Sequence, residues 1–330
     1  MKYFFPFVLS LGIILSGCAP EEQNNDNEAS ENKLLSPHAT VLSYEKLPNF
    51  ASGSGMSYFN GAFYAVGDDD PYLIQISSTG EVLKRWQAWD TVDVKNGRIK
   101  KSVKPDFEAV ASLPYREDTI LLIFGSGSRS PERDVIVTFN PGTEIVTPLK
   151  GQAFFRWFKN NADLTDDEIN LEGAAYHKNT LYLLNRHNNE MYSLPAAAFN
   201  VFIETGDTSQ LSLTTQHFEL PVYQGDTARF SGASILSNTN EILFSATIEA
   251  TGDWQEDGKI LGSYIGIIEL DHQDKKTPLC LPVMNKDTTR FGGKIEAPHG
   301  FRINETEIKV LFITDDDDGT TGWGELQVKR

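Results

Sequence analysis

The stretch Asn170-Leu171-Glu172-Gly173-Ala174-Ala175 joins an acidic residue to a small residue and an apolar run, and this step decides the fold. A small or acidic start of this kind occurs five times, at intervals of about 60 residues. Each start leads into a short apolar strand, a turn, a second β-rich strand and a polar cluster. A repeat of this length predicts an array of similar structural units. The other four starts are Ser54-Gly55-Met56, Asp106-Phe107-Glu108-Ala109-Val110-Ala111, Ser231-Gly232-Ala233-Ser234 and Lys294-Ile295-Glu296-Ala297.

Further β-rich segments follow each start at similar distances along the chain. Asn60-Gly61 and Lys178-Asn179 suit tight hairpin turns, because Gly and Asn tolerate positive φ at little cost. Third and fourth strands fit in the first four units, whereas the last unit lacks a fourth strand. An unassigned β-like stretch, Ala39 to Leu47, precedes the first unit. The predicted second strands are Phe63 to Val66, Ile120 to Ile123, Leu181 to Leu184, Ile242 to Ser245 and Val310 to Ile313.

Four-stranded units repeated around an axis form a β-propeller. We therefore predict an all-β protein, a β-propeller of five blades, with a sixth blade hidden in the long links as the alternative count. The N-terminal strand would complete the last blade and close the ring, which removes the open sheet edge. A β-sandwich with irregular strand lengths is the rival fold.

The N-terminus has the layout of a signal peptide, with Lys2, a short apolar run from Tyr3 to Leu15, and Leu15-Ser16-Gly17-Cys18. The run is shorter than the roughly 20 residues that a membrane-spanning helix needs. The segment resembles bacterial lipobox signals, which implies a lipid on Cys18; a buried core cysteine is the alternative. We expect a signal peptide at 1–17, a lipidated cysteine and disordered acidic tether at 18–33, and a single propeller domain at 34–330. The protein would then be exported and lipid-anchored to the outer membrane or cell surface, its membrane partner being reached through the lipid.

Composition limits the remaining partners. The net charge is −17, from 46 acidic and 29 basic residues, which argues against nucleic acid and anionic membrane surfaces. Cations are the natural complement, although an acidic balance can also serve solubility alone. With Cys18 lipidated, Cys280 has no partner for an intramolecular disulfide. We expect a monomer.

The start of a first strand and the end of a second strand lie on the same face of a propeller. Acidic residues at these positions should therefore crowd one end of the axis, where they would repel one another unless a cation or proton intervened. Calcium is favoured over magnesium, because its larger coordination sphere tolerates oxygen ligands from several blades. Carboxylates that only accept backbone amides are the alternative. The candidate metal ligands are Glu108, Glu172, Glu296, Asp68 and Asp69.

Basic residues lie at equivalent edges and would bind a small anionic ligand, since Arg and Lys match phosphate and carboxylate groups. A structural ring of salt bridges is the alternative. The candidate anion-binding residues are Arg129, Arg186, Arg229, Arg290 and Lys294. The candidate general acids or bases are Glu172, His187 and His299, although an isolated histidine is more often structural. A G-x-S-x-G elbow, H-E-x-x-H and a P-loop are absent from the sequence.

The E-G and E-A steps at Glu172-Gly173 and Glu108-Ala109 resemble those of the phytase-like (esterase-like) β-propellers and of neighbouring bacterial lipoprotein propellers of unassigned function. Membership would imply calcium-dependent hydrolysis of phosphoesters or esters. The stretch Asp68-Asp69-Asp70-Pro71-Tyr72 departs from the D-x-D-D-P-A-type motif of true propeller phytases.

Two hypotheses for the function follow from these features. The first is a calcium-binding hydrolase of a small anionic ester. The second is a non-catalytic surface propeller that binds a glycan, a peptide or a protein. Exposed tryptophans clustered on one face would favour the second, because aromatic platforms bind sugars and proteins. The tryptophans in question are Trp86, Trp89, Trp254 and Trp323.

Overall fold

The computed structural model describes residues 1, 37–90, 92–250, 258–272, 274–316 and 318–330. The predictions for the signal peptide, Cys18, the tether and Trp254 lie outside these residues. Pro37–Arg330 forms one compact unit. Among the described helices, none has the length and apolar character needed to cross a membrane.

The described chain is built almost entirely of antiparallel strands. It opens with β1 (Ala39–Leu47), and the first four-stranded sheet contains β2 (Gly53–Phe59), β3 (Ala62–Gly67), β4 (Tyr72–Ile76) and β5 (Val82–Gln87). A small hairpin of β6 (Val94–Lys95) and β7 (Arg98–Ile99) follows. The second sheet contains β8 (Phe107–Tyr115), β9 (Asp118–Gly125), β10 (Ile136–Asn140) and β11 (Ile145–Pro148).

Two helices accompany the third sheet. Helix α1 (Gly151–Ala162) precedes it, where the sequence predicts a short helix around Phe154 to Lys159. The third sheet contains β12 (Leu171–His177), β13 (Thr180–Asn185), β14 (Glu190–Pro195) and β15 (Thr214–His217), with α2 (Ala196–Thr205) inserted before β15. The hairpin of β16 (Val222–Tyr223) and β17 (Asp226–Thr227) leads to the fourth group of strands.

The last eight-stranded sheet consists of two groups of four strands. The fourth group is β18 (Arg229–Ile235), β19 (Glu241–Ala250), β20 (Lys259–Glu269) and β21 (Leu279–Met284). The fifth group is β22 (Lys294–Arg302), β23 (Glu307–Asp315), β24 (Thr321–Lys329) and β1. Strand β1 pairs antiparallel with β24 along its length, and its Ala39 and Thr40 also pair in parallel with β21. The all-β class is confirmed, and the N-terminal strand completes the last group as predicted.

The hairpin turns have the predicted backbone geometry. Asn60 and Gly61 have φ values of 49° and 87°, and Lys178 and Asn179 have values of 44° and 66°. These left-handed conformations join β2 to β3 and β12 to β13 with two-residue loops, which suits the twist of the paired strands.

The first strand of every group carries a one-residue register shift against the second strand. Such a β-bulge re-aims the side chain of the extra residue. The five bulged residues are Ser54, Glu108, Glu172, Ser231 and Glu296. The residue after each bulge is small, namely Gly55, Ala109, Gly173, Gly232 and Ala297.

The small residues allow the five first strands to approach one another closely. A Cβ atom on Gly232 would clash with the carbonyl oxygen of Glu296, and one on Gly55 would lie 2.9 Å from the carbonyl oxygen of Glu108. The first strands contact one another in a closed cycle, in the order β2, β8, β12, β18, β22 and back to β2. We call them the inner strands. The architecture is therefore β-propeller-like.

Apolar clusters fill the space between neighbouring sheets. Phe124 of the second sheet packs against Phe154 of α1 and Phe199 of α2, so both helices cover the gap between the second and third sheets. Phe63 of the first sheet packs edge-on against Trp323 of the fifth group. The core thus lies between sheets, and the starts of the inner strands are left to polar residues.

Candidate functional site

A cavity of about 490 Å³ opens where the inner strands begin. Every described side chain that lines it is polar or charged, and among these described residues nine carboxylates face seven cationic groups. The lining residues that matter below are Asp68, Asp69, Arg98, Lys101, Lys104, Asp106, Glu108, Arg129, Arg133, Asn170, Glu172, Arg186, Glu249, Lys294 and Glu296. A lining of this kind suits ions and small, strongly polar ligands rather than apolar ones.

The β-bulges bring three of the predicted glutamates into this cavity. Glu108, Glu172 and Glu296 are the bulged residues of β8, β12 and β22. Asp106 and Lys294, two positions before Glu108 and Glu296, line it as well. Asp106 immediately precedes β8 and Lys294 is the first residue of β22, so these two inner-strand starts each contribute two charged groups to the cavity.

One side of the cavity holds a compact acidic trio, formed by Asp68, Asp106 and Glu108. One ligand oxygen from each lies within 4.8 Å of the others. The Lys104 ammonium contacts Asp68 Oδ2 and lies 2.7 Å from Asp106 Oδ1. Arg133 Nη1 lies 2.6 Å from Asp106 Oδ2. Although burial opposes it, the charges of Lys104 and Arg133 lower the pKa of Asp106, which therefore stays ionised.

Glu108 is the half-buried member of the acidic trio that neither Lys104 nor Arg133 contacts. Its carboxyl has no hydrogen bond or ion pair with any residue that the structure describes. Burial, followed by the charges of Glu172 and Asp106, raises the pKa of Glu108 well above its usual range. Its carboxyl therefore takes a proton readily unless a cation offsets the charge.

The opposite side of the cavity holds an ion-pair cluster from the third, fourth and fifth groups of strands. Arg186 Nη2 donates to Glu249 Oε1 at 2.5 Å, and Lys294 Nζ lies 2.9 Å from Glu296 Oε1. Asn170 donates to Glu172 Oε1 at 2.7 Å. Although burial opposes it, Lys294 and Arg186 lower the pKa of Glu249 to about 2. Burial raises the pKa of Glu296 well above its usual range.

Three cationic side chains stand at the exposed rim of the cavity. Arg98 lies 2.6 Å from Asp69 Oδ2 and keeps 43% of its side chain exposed. Arg129 and Lys101 are exposed, and neither pairs with a carboxylate within the described part of the chain. The rim therefore offers unpaired positive charge above a floor rich in carboxylates.

Two of the predicted basic residues lie outside the cavity. Arg229 donates to the carbonyl oxygen of His187. The guanidinium of Arg290 stacks 3.8 Å from the ring centroid of Tyr223 and donates to the Tyr264 hydroxyl at 3.1 Å. His187 itself follows the cavity residue Arg186 but is not part of the lining; burial and Arg229 lower its pKa.

The predicted placement of His299 on the same face is wrong. His299 lies on β22, three residues beyond Glu296, which corresponds to about 10 Å along an extended strand. Its ring packs among Tyr58, Phe63 and Phe301. Both ring nitrogens are buried and have no hydrogen-bond partner among the residues that the structure describes, and burial lowers the pKa of His299 to about 4.

The sequence pattern does not single out several of the charged residues that line the cavity. One of them, Asp106, lies two residues before Glu108, which is a readable signal. Others are Arg98, Lys101, Lys104, Arg133 and Glu249. Arg98 and Lys104 belong to the long link between the first and second sheets, and Arg133 to the link between β9 and β10. No repeat pattern marks residues in such links.

The closed cycle of inner strands and the charged cavity define a β-propeller-like protein with a polar central site. The chain belongs to the family of unknown function DUF6929, whose model matches residues 49–328. The matching family model is not that of the phytase-like propellers, which the inner-strand motifs resemble. No curated protein sequence matches the chain.

Solved structures resemble the chain only distantly. Glutaminyl cyclase from Myxococcus xanthus has 10% identity and a TM-score of 0.48, over 89% of this chain and 100% of that one. The GH43 endo-arabinanase from Bacillus licheniformis has 9% identity and a TM-score of 0.39, over 86% and 95%. Virginiamycin B lyase from Staphylococcus aureus has 9% identity and a TM-score of 0.35, over 87% and 99%. These values carry no argument about activity.

The burial of His299 generates a prediction about stability. Because its pKa is lower in the folded protein than in the unfolded chain, unfolding takes up a proton below about pH 6.5. Stability should therefore fall as the pH drops from the unfolded pKa toward the folded one, by about 2 kcal/mol at pH 5. His299→Phe should reduce the loss between pH 7.5 and pH 5, measured by urea denaturation, by that amount.

The exposed His217 on β15 offers a matched control. His217→Phe should leave the pH dependence of stability as it is in the unsubstituted protein. An equal loss of stability in His299→Phe and in the unsubstituted protein would show that the buried imidazole is not responsible.

Proposed function

We propose that this chain is a five-bladed β-propeller of the cell envelope, whose central cavity binds a divalent cation together with a small anionic ligand. The blade count is supported by five groups of four strands within the described residues and by the cycle of five inner strands. The eight-stranded sheet counts as two blades, because only Ala39 and Thr40 of β1 link its halves in parallel.

The acidic trio is the observation that carries the cation site. Oxygens bound to one calcium ion at 2.3–2.6 Å lie at most about 5 Å apart, and one oxygen each of Asp68, Asp106 and Glu108 meets this limit. Calcium is the preferred ion, since all the ligands are oxygens from different strands.

The rim supports the second half of the proposal. The side chains of Arg129 and Lys101 line the same cavity, and neither forms an ion pair with a described carboxylate. An anion there would lie close to a cation on the trio, so each would stabilise the other. Arginine matches carboxylate or phosphate oxygens with two parallel hydrogen bonds.

Glu108→Gln tests the cation site directly, because it keeps the shape of the side chain and removes its charge. The melting temperature of the unsubstituted protein should be higher in millimolar calcium than in chelator. At a free calcium concentration 100 times Kd, the expected stabilisation is about 2.7 kcal/mol. Glu108→Gln should lose most of the calcium-induced shift.

Glu144→Gln is the matched control. Glu144 is exposed between β10 and β11, where it pairs with Lys84 away from the cavity. This variant should respond to calcium like the unsubstituted protein. A melting curve of the unsubstituted protein that is the same in calcium and in chelator would contradict the cation site.

Hydrolysis of an ester or phosphoester is a second candidate function. Burial raises the pKa of Glu172, whereas Lys294 and Arg186 lower the pKa of Glu249 in the same cavity despite its burial, and carboxyl groups with separated pKa values suit general acid and base roles. A divalent cation would polarise an ester oxygen when bound. Glu172, which is not part of the acidic trio, would then hold the proton for the leaving group, and Arg129 would orient the anion.

A turnover assay with p-nitrophenyl phosphate and p-nitrophenyl acetate tests this activity. We expect calcium-dependent turnover that falls by about 10²–10⁴ in Glu108→Gln/Glu172→Gln/Glu296→Gln. Equal, negligible turnover in both proteins would leave ligand binding without catalysis as the function.

The alternative of a glycan- or protein-binding aromatic platform has less support. Trp86 packs on Phe139 and Trp89 on Phe107, both in one apolar cluster of the core, whereas Trp323 packs on Phe63 in another. These three tryptophans are engaged with the core and therefore do not form one exposed platform. A non-catalytic role would then use the charged cavity itself.

Lipidation of Cys18 is the basis for placing the protein in the cell envelope, and it has a separate test. In an expressing bacterium, the full chain should partition into the detergent phase of Triton X-114 through its acyl chains. Cys18→Ser should move the protein to the aqueous phase. Recovery of both proteins in the aqueous phase would contradict the lipid anchor.

A further inference from the structure

Lys104 occupies a position that the proposed cation also needs. Its ammonium bridges Asp68 Oδ2 and Asp106 Oδ1, which belong to two of the three carboxylates of the acidic trio. Only 10% of its side chain is exposed. The ammonium is therefore held at the trio rather than left in solvent.

A single ammonium does not satisfy the whole trio. Lys104 offsets one charge and contacts two carboxylates, and Arg133 offsets a second charge at Asp106. Glu108 is left without an ion pair in the described part of the chain, and one buried oxygen of Asp68, Oδ1, has no hydrogen-bond partner. A divalent ion could serve all three carboxylates at once.

The ammonium and a metal ion exclude each other from these ligands. A calcium ion bound at 2.3–2.6 Å from the carboxylate oxygens would lie within about 5 Å of an ammonium that still bridged the same groups. Two cations at that distance repel strongly in a cavity that is partly shielded from water.

Lys104 can leave without breaking a strand. It belongs to the turn segment between β7 and β8, outside the sheet hydrogen bonds, and its side chain lines the cavity. Lysine carries its charge on a flexible four-carbon stem, so the ammonium can move into the cavity while the backbone stays in place.

We propose that Lys104 is the resident counter-ion of the cation site, which bridges Asp68 and Asp106 in the cation-free protein and must be displaced when a divalent cation binds. Lys104 thereby sets the affinity of the site for the divalent cation. This inference rests on the cation site proposed above.

Isothermal titration calorimetry of the compact unit Pro37–Arg330 with calcium chloride, in low-salt buffer, tests the role of Lys104. Lys104→Met keeps the length of the stem and removes the competing charge, so it should bind calcium at least about tenfold more tightly than the unsubstituted protein. Lys104→Gln is a second neutral replacement in case the methionine variant folds poorly. Lys104→Arg retains the charge and should bind no more tightly than the unsubstituted protein.

Lys100→Met removes a charge from the same turn segment, where Lys100 pairs with Asp93 on the exposed surface, and should leave calcium affinity unchanged. Equal affinity in Lys104→Met and the unsubstituted protein, with binding lost in Glu108→Gln, would overturn the role of Lys104 and leave the cation site intact. Absence of calcium binding in every variant would overturn the cation site and the role of Lys104 together.

Discussion

The close approach of five inner strands is the constraint on which the rest of this structure depends. Each strand bulges at one residue and continues with glycine or alanine, and at Gly232 a larger residue would collide with the Glu296 carbonyl. The small residue lets the neighbouring backbone come near, and the bulge turns the preceding side chain away from the ladder. The bulge and the small residue after it therefore allow the inner strands to pack closely, and they direct Glu108, Glu172 and Glu296 into the cavity.

The cost of gathering these carboxylates is reduced by cations from elsewhere in the chain. Lys104 and Arg133 offset Asp106, whereas Arg186 and Lys294 offset Glu249 and Glu296. Pairing of this kind is needed because an isolated buried charge is very unfavourable. The compensation is incomplete at Glu108, and that residue faces the cavity. The same network thus holds the blades in register and leaves one group available to a ligand.

The sequence predicts the inner-strand glutamates because they sit inside the repeat itself, and it predicts the pairing of β1 with the last group because only that group lacks a strand. It does not reveal Lys104 or Glu249, since their positions depend on links and strand ends of irregular length. His299 was misplaced for a physical reason. Only the first residues of an inner strand reach the cavity, and three more residues carry the chain into the aromatic core.

Anomalous diffraction from crystals of Pro37–Arg330, grown with calcium or soaked in manganese, tests most directly whether the cavity binds a divalent cation. We predict a single strong peak in the cavity, coordinated by Asp68, Asp106 and Glu108, with the Lys104 ammonium moved away from Asp68. A cavity without an anomalous peak, in which Lys104 still bridges Asp68 and Asp106 at saturating metal, would contradict the cation site.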